Sequence, residues 1–449
     1  MTDKHGTVAA ITEYARSSLW VLPAVSITLA VVLGVVLSNV DVSEDRFFSQ
    51  WLFPGGPEGA RGILEAIAAS VITVTSLVFS LTVVTLQLAS SQFSPRLLRT
   101  FLRRPGNQIV MSVFLSTFVY ALVVLRTIRE EGGEPFVPAL AVSVGFLLVL
   151  ASVAALVYFI HHITSEIRAD TLMQRAESDT LATIDAVHPR PLDAGATPPT
   201  PPEIPPHALP IPATTSGIVQ AVTADSLAEA AQTSGTVVVS AVRVGDRVVS
   251  DGVLAWAWGA GEAQPEDLTR AVNAAFTIGH ERTLQQDVSY GVRQLVDMAT
   301  KALSTGLNDP TTAIDATGHL SSVLSVLARR HIADIACHDD EGRLLAYVHR
   351  LTYTDYLALA CGPIRRYGST DPDVMLALVH LLRETGAAAV LPGQVTAVRH
   401  ELGLVLEAAE HNVAQEADVE RVRAACRQTE AMLDGVRLRS TQPQPGAGT

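Results

Sequence analysis

Between residues 70 and 91, six polar side chains recur in an otherwise apolar run: Ser70, Thr73, Ser76, Ser80, Gln87 and Ser91. At about 100° per residue with Thr73 at zero, Ser91 returns to about 0°, and Ser80 and Gln87 fall near 340° and 320°. Ser70 and Ser76 lie about 60° to either side, so the six share roughly a third of a helix circumference. Hydroxyls and an amide on one face can replace water around a small solute, the chemistry of a pore-lining or gating helix. The same residue types let membrane helices approach closely and hydrogen-bond across their interface, which is the commoner use of such a seam. Thr75, Thr82 and Thr85 fall on the opposite side and blur the pattern. The run opens into Arg96, Arg99, Arg103 and Arg104 without an acidic partner, which makes these four the candidates for an inner mouth.

A second concentration of polar groups lies between residues 280 and 312: Glu281, Arg282, Gln286, Asp287, Arg293, Asp297, Asn308, Asp309 and Thr311. Arg293 and Asp297 are four apart and can share a helix face. Asp309-Pro310 is a helix start, with Asp309 as cap and free N–H groups directed outward. The group can form a pocket for a polar or anionic ligand, or an acid/base site on Glu281, Asp287 and Asp297. The simplest arrangement is a capped helix–turn–helix with internal salt bridges, and it is the one the residue types favour. No nucleophile elbow, Walker loop, H-E-x-x-H or paired C-x-x-C occurs, so no catalytic residue, metal ligand or cofactor is assigned. Cys337, Cys361 and Cys426 are widely spaced, which suits a reducing compartment and offers no disulfide framework.

The elements that must position these groups follow from hydropathy. The chain has 449 residues, only 17% of them charged, and a mean hydropathy of +0.29, too apolar for an ordinary soluble protein. Its net charge of −13 argues against a nucleic-acid binder, which would show a basic face. Apolar runs over 18–40, 63–88, 109–125 and 136–160 predict four membrane spans, the third near the lower limit of about 17 residues. The first is too long for a signal-peptide core and reads as a retained helix. The first loop carries Asp41, Glu44, Asp45 and Glu58, and the third carries Glu130, Glu131 and Glu134. The middle loop has four arginines and no acid, so the positive-inside bias places it, and both termini, in the cytoplasm. His161-His162 closes the fourth span as interface residues.

The predicted fold is therefore an α-helical integral membrane domain of four transmembrane helices, plus a cytoplasmic α+β domain with a small β-rich unit and a larger helical part. The boundaries are a cytoplasmic N-terminus (1–17), the membrane domain (18–163), a juxtamembrane helix (164–188), a proline-rich linker (189–214), the β-rich unit (215–258), the mainly helical domain (259–439) and a loose tail (440–449). The linker holds ten prolines between residues 189 and 212, a density that predicts extended chain. Strands are expected near 216–222, 235–242 and 242–258, and helices over 267–278, 287–303 and from Pro310 to about Arg330. The string Val244–Leu254 is similar to the hammerhead turn of biotinyl or lipoyl domains, but no lysine sits at a neighbouring hairpin tip.

Three segments carry a wider resemblance: Ser76-Leu77-Val78-Phe79-Ser80 through Leu86 to Arg96, Glu281-Arg282-Thr283 with Gln286-Asp287, and Gly291 to Asp297 through Leu303 to Ala313. With them the chain resembles, over about 15–435, the bacterial predicted membrane proteins catalogued as domain of unknown function 2254. That resemblance implies a multi-pass membrane protein with a large cytoplasmic domain and assigns no activity. The combined expectation is a channel-like or transport protein for a small solute or ion in the bacterial cytoplasmic membrane. Its partners would be the lipid bilayer, further copies of itself and a small ligand at the cytoplasmic domain, with no nucleic acid. The alternative is a membrane-anchored sensor or binding module.

Overall fold

The structure is a computed structural model, and it describes residues 21–40, 53–92, 105–129, 136–166, 168–191, 199–259 and 265–440. They divide into two compact units, with the boundary at residue 171.

The first unit contains four helices long and apolar enough to cross a membrane: α1 (Val21–Ser38), α2 (Pro57–Gln92), α3 (Pro105–Leu125) and α4 (Ala139–Glu166). The third span, the shortest by hydropathy, is the hub, because α3 packs against α1, α2 and α4. Its helix has 21 residues and begins at Pro105, four residues before the predicted apolar run. At about 1.5 Å per residue it reaches roughly 31 Å, enough for the hydrocarbon. Val110, Phe114, Thr117, Ala121 and Val124 bury one stripe of α3 at alternating four- and three-residue spacing. Polar groups tie the bundle together: Tyr120 Oη donates to the Ala141 carbonyl at 2.8 Å, and Ser152 Oγ donates to Thr117 Oγ1 at 3.1 Å. Gly34 brings α1 close to α3, since a Cβ there would lie 2.8 Å from Val123 Cγ1.

The second unit is α+β, as its sequence predicts. Helix α5 (Ala169–Val187) is followed by β1 (Leu209–Pro212), β2 (Gly217–Val222), α6 (Ala224–Ser234), β3 (Thr236–Ser240), β4 (Arg247–Val248) and β5 (Val253–Gly259). Then come α7 (Pro265–Ala274), β6 (Phe276–Gly279), α8 (Val288–Ala302), α9 (Pro310–Ala328), β7 (Ile335–His338) and β8 (Leu344–Val348). Helices α10 (Tyr353–Gly368), α11 (Pro372–Ala388), α12 (Pro392–Asn412) and α13 (Glu416–Ser440) complete it.

The strands do not form a self-contained unit over 215–258. They build a five-stranded sheet of order β1-β5-β3-β8-β7 and a three-stranded sheet of order β4-β2-β6. The larger sheet recruits β7 and β8 from a hundred residues downstream, with β3 and β8 parallel at Val238–Ala346 and Val239–Tyr347. Both sheets, α6 and α7 share one core around Val219, Leu227, Val238, Leu254 and Val272. The end of the proline-rich linker is strand β1 rather than irregular chain. Its Pro210 and Pro212 are tolerated because β1 is an edge strand, where one row of N–H groups needs no partner. The helix expected over 267–278 stops at Ala274, and Phe276-Thr277-Ile278 turns into β6, as aromatic and β-branched residues favour. Helix α6 was not expected at all.

Helices α8 to α13 pack against one another. The cap signal read at Asp309 holds, since it accepts from Thr312 N at 3.1 Å at the head of α9, and Asp287 likewise accepts from Tyr290 N at 3.0 Å at the head of α8. Helix α5 docks on these helices. Thr183 Oγ1 donates to the Leu284 carbonyl at 3.0 Å, and Glu177 and Asp185 contact His319 and Arg330.

Candidate functional site

The polar stripe of α2 is displayed in a direction the sequence could not decide. Ala60, Leu64, Ile67, Ala68, Val71, Thr75, Val78 and Thr85 are buried, and Ser70, Thr73, Ser76, Ser80 and Gln87 are exposed. On the wheel with Thr73 at zero, Leu64 and Thr82 stand at about 180°, Val71 at about 160° and Val78 at about 140°. The packing face is thus diametrically opposite the stripe. Thr75 and Thr82, which blurred the pattern, belong to the packing face, where they donate to Val71 O at 2.6 Å and Val78 O at 2.8 Å. Within one copy, then, the hydroxyl stripe is not the seam between neighbouring helices.

Thr73 and Ser76 also donate to carbonyls four residues back, at 2.8 and 3.0 Å. Their protons are used, and what they offer outward is lone pairs. The side chain of Ser91, and all of Arg96, Arg99, Arg103 and Arg104, lie outside the described residues.

The polar group of the second unit separates into two places. Arg282, Gln286 and Asp287 sit at the N-terminal end of α8, while Asn308, Asp309 and Thr311 lie beyond its C-terminal end. Fifteen residues of α8 at about 1.5 Å each put roughly 22 Å between them. Arg293 is exposed on α8 and Asp297 half-buried one turn on, while Asn308, Asp309 and Thr311 are solvent-facing. Asp309 acts as a helix cap, and its hydrogen bonds from Thr312 hold its carboxyl below the usual range.

The N-terminal group is a structural junction. Arg282 donates through Nη2 to the Gly245 carbonyl at 2.8 Å and approaches Asp287 Oδ2 at 3.3 Å. Gly245 has φ +93°, and a Cβ there would meet the Arg282 guanidinium, so glycine is required at this turn. Burial pushes the Asp287 carboxyl up, and Arg282 together with hydrogen bonds from Ser289 and Tyr290 pulls it back. Gln286 Oε1 accepts from Val222 N at 3.0 Å, and the Glu281 carbonyl accepts from Gln220 Nε2 at 2.7 Å. These residues join β2 and the 245 turn to α8.

Gln286 and Asp287 nevertheless line a cavity of about 40 Å³, together with His188, Arg243, Arg350 and Tyr356. That volume suits one to a few waters. It brings forward two residues that sequence reasoning missed. His188 follows α5 and Arg350 follows β8, 162 positions further along the chain. No periodicity links them, and the only local signal was the His349-Arg350 pair at a strand end. Among the described residues, no group of three or more His, Cys, Asp or Glu side chains could hold a metal ion.

Four helices long and apolar enough to cross a membrane, followed by an α+β unit, mark the class of a predicted membrane protein. The chain belongs to the family of predicted membrane proteins called DUF2254, which matches residues 16–384. An uncharacterized protein of Mycobacterium bovis and one of Mycobacterium tuberculosis are each 41% identical to it over 432 residues, covering 94% of this chain and 82% of the relative. No solved structure matches the chain.

Proposed function

We propose that this chain is one subunit of a homo-oligomeric, channel-like membrane protein for a small solute or ion, with the α+β unit in the cytoplasm as its regulatory part. The observation that carries the reading is the outward display of Ser70, Thr73, Ser76, Ser80 and Gln87, opposite the packing face of α2. The interior of one bundle is filled by Leu64, Phe114 and Tyr120, which leaves a polar path no room there. Copies arranged with their α2 stripes toward a common axis would surround such a path with hydroxyl oxygens. The loop arginines Arg96, Arg99, Arg103 and Arg104 would ring its inner mouth, on the side the positive-inside bias makes cytoplasmic. Both termini and the α+β unit follow on that side of a bacterial cytoplasmic membrane.

Single cysteines at Ser76 and Ser80, in a background lacking Cys337, Cys361 and Cys426, test the arrangement. Both are expected to cross-link between subunits in native membranes, while Thr75→Cys on the packing face does not. Proteoliposomes of the unmodified protein are expected to pass small solutes or ions, and thiol modification of Ser80→Cys to block the flux. Absence of cross-links removes the oligomeric axis. Cross-links without flux reduce the stripe to a packing seam between copies.

A further inference from the structure

A second, larger cleft of about 540 Å³ opens beside the His188–Arg350 contact, lined by residues from the end of α5, the stretch before β7 and β7 itself. Its charged and titratable lining consists of Arg190, Arg350, His188, His331 and His338, against the single carboxylate of Asp334. In a chain of net charge −13, such a surplus of cationic and imidazole groups in one concavity is unusual.

The carboxylate is already committed. Asp334 Oδ1 accepts from the backbone N–H of Arg350 at 2.7 Å, and Oδ2 accepts from Tyr347 Oη at 2.8 Å and faces His349 Nδ1 at 3.3 Å. Burial alone would raise this carboxyl, but those hydrogen bonds outweigh it and keep Asp334 ionised. Its role is to fix the β8 end that carries Arg350.

The Arg350 guanidinium, by contrast, contacts only neutral groups among the described residues: the Val187 carbonyl at 3.3 Å and His188 Nδ1 at 3.5 Å, both through Nη1. A guanidinium has five N–H donors in a planar fork. Asp334 attracts this cation but accepts a hydrogen bond only from its backbone N–H, so the half-buried fork itself meets no carboxylate, and an anion would complete it. His188 does not supply that anion, since burial and Arg350 itself hold its imidazole neutral. The cleft also has an apolar side in Ile335, Ala333 and Ala336, and its volume falls within the roughly 300–1,000 Å³ of small-molecule sites.

We infer that this cleft binds a phosphate-bearing small molecule of nucleotide size, with the Arg350 fork taking the phosphate, Arg190 flanking it and the apolar wall receiving the rest of the ligand. Bidentate pairing of a guanidinium with phosphate oxygens uses the donors that the fold leaves open. The site stands independently of any path along α2, because it needs only the α+β unit.

The test uses the full chain in nanodiscs made of zwitterionic lipid. Inorganic phosphate, pyrophosphate and ATP are titrated at constant ionic strength by calorimetry and by ³¹P line broadening. Binding is expected to strengthen from phosphate to ATP, to weaken at least tenfold in Arg350→Gln, and to weaken by a smaller factor in the exposed Arg190→Gln. Arg190→Gln keeps the test valid if Arg350→Gln fails to fold. Equal affinity of wild type and both variants, or no binding of any of the three, overturns the assignment. Nanodiscs containing anionic lipid distinguish the source of the phosphate. Loss of ATP binding there, again dependent on Arg350, would place a lipid phosphate in the site, whereas retained binding identifies a soluble ligand. Membrane flux without any phosphate binding would overturn this site alone, and phosphate binding without flux would leave it standing.

Discussion

Nδ1 of His188 lies 3.5 Å from the guanidinium of Arg350. Because arginine only donates, the ring nitrogen facing it is an acceptor and the imidazole is neutral. Burial first, and then the charge of Arg350, lower the His188 pKa from 6.5 to about 4. Between about pH 6.5 and pH 4 the unfolded chain therefore binds a proton that the folded chain refuses. The resulting stability is complete above the window and lost as the pH falls through it. A shift of this size corresponds to about 3 kcal/mol. Denaturant midpoints of the α+β unit, measured between about pH 7.5 and 4.5, should fall with acidification, and His188→Gln should flatten the slope. Identical slopes in the two proteins would remove His188 as the cause.

Arg282 and Asp287 form the best-buried ion pair of the junction, at 18% and 2% exposure. Arg282→Ala strands a desolvated carboxylate, and breaking such a pair costs about 3–5 kcal/mol. It also removes two hydrogen bonds to Gly245. Adding Asp287→Asn should recover part of the loss, because the amide keeps an oxygen for the α8 cap without the charge. Thermal unfolding of both variants decides it, and a double variant no better than Arg282→Ala would show that the Gly245 contact dominates.

Helix α5 crosses α8 at Gly291, where a Cβ would fall 1.9 Å from Thr180 Oγ1. Gly291→Ala should destabilise the unit by at least the 1–3 kcal/mol or so typical of overpacking. Thr180→Ala in the same chain should restore part of it by removing the clashing hydroxyl. Additive losses in the double-mutant cycle would contradict this contact.

Tyr120 ties α3 to α4 through the Ala141 carbonyl. Hydrogen bonds between membrane helices average about 0.6 kcal/mol, so Tyr120→Phe should be mild. Gly34→Leu, which drives a side chain into Val123, should be far worse. Unfolding of the bundle in mixed detergent ranks the two, and the reverse order would refute the α1–α3 packing.

Much of this protein was legible in one dimension. Four long apolar runs suffice to announce four bilayer-length helices, since composition and length decide that by transfer free energy. Asp309 marked a helix start because an N-cap acts over two or three residues. The segments that misled were those whose partners are distant. Pro210 and Pro212 read as linker until β5 arrives to pair with them, and Phe276–Ile278 continued a helical pattern until β2 claimed it as a strand.

The sequence by itself determined that α2 has a polar stripe, because the angles follow from helix geometry alone. Only the tertiary structure decided that the stripe faces away from the bundle, because that depends on which side of α2 meets α3 and α4. It also moved the centre of interest in the second unit. The polar turn at 281–287 became a junction, and a guanidinium fork that meets no carboxylate proved to be that of Arg350, placed against His188 by a sheet and a helix that no local signal connects. Its neighbours, not its residue type, made that arginine notable, and neighbours are a property of the packed chain.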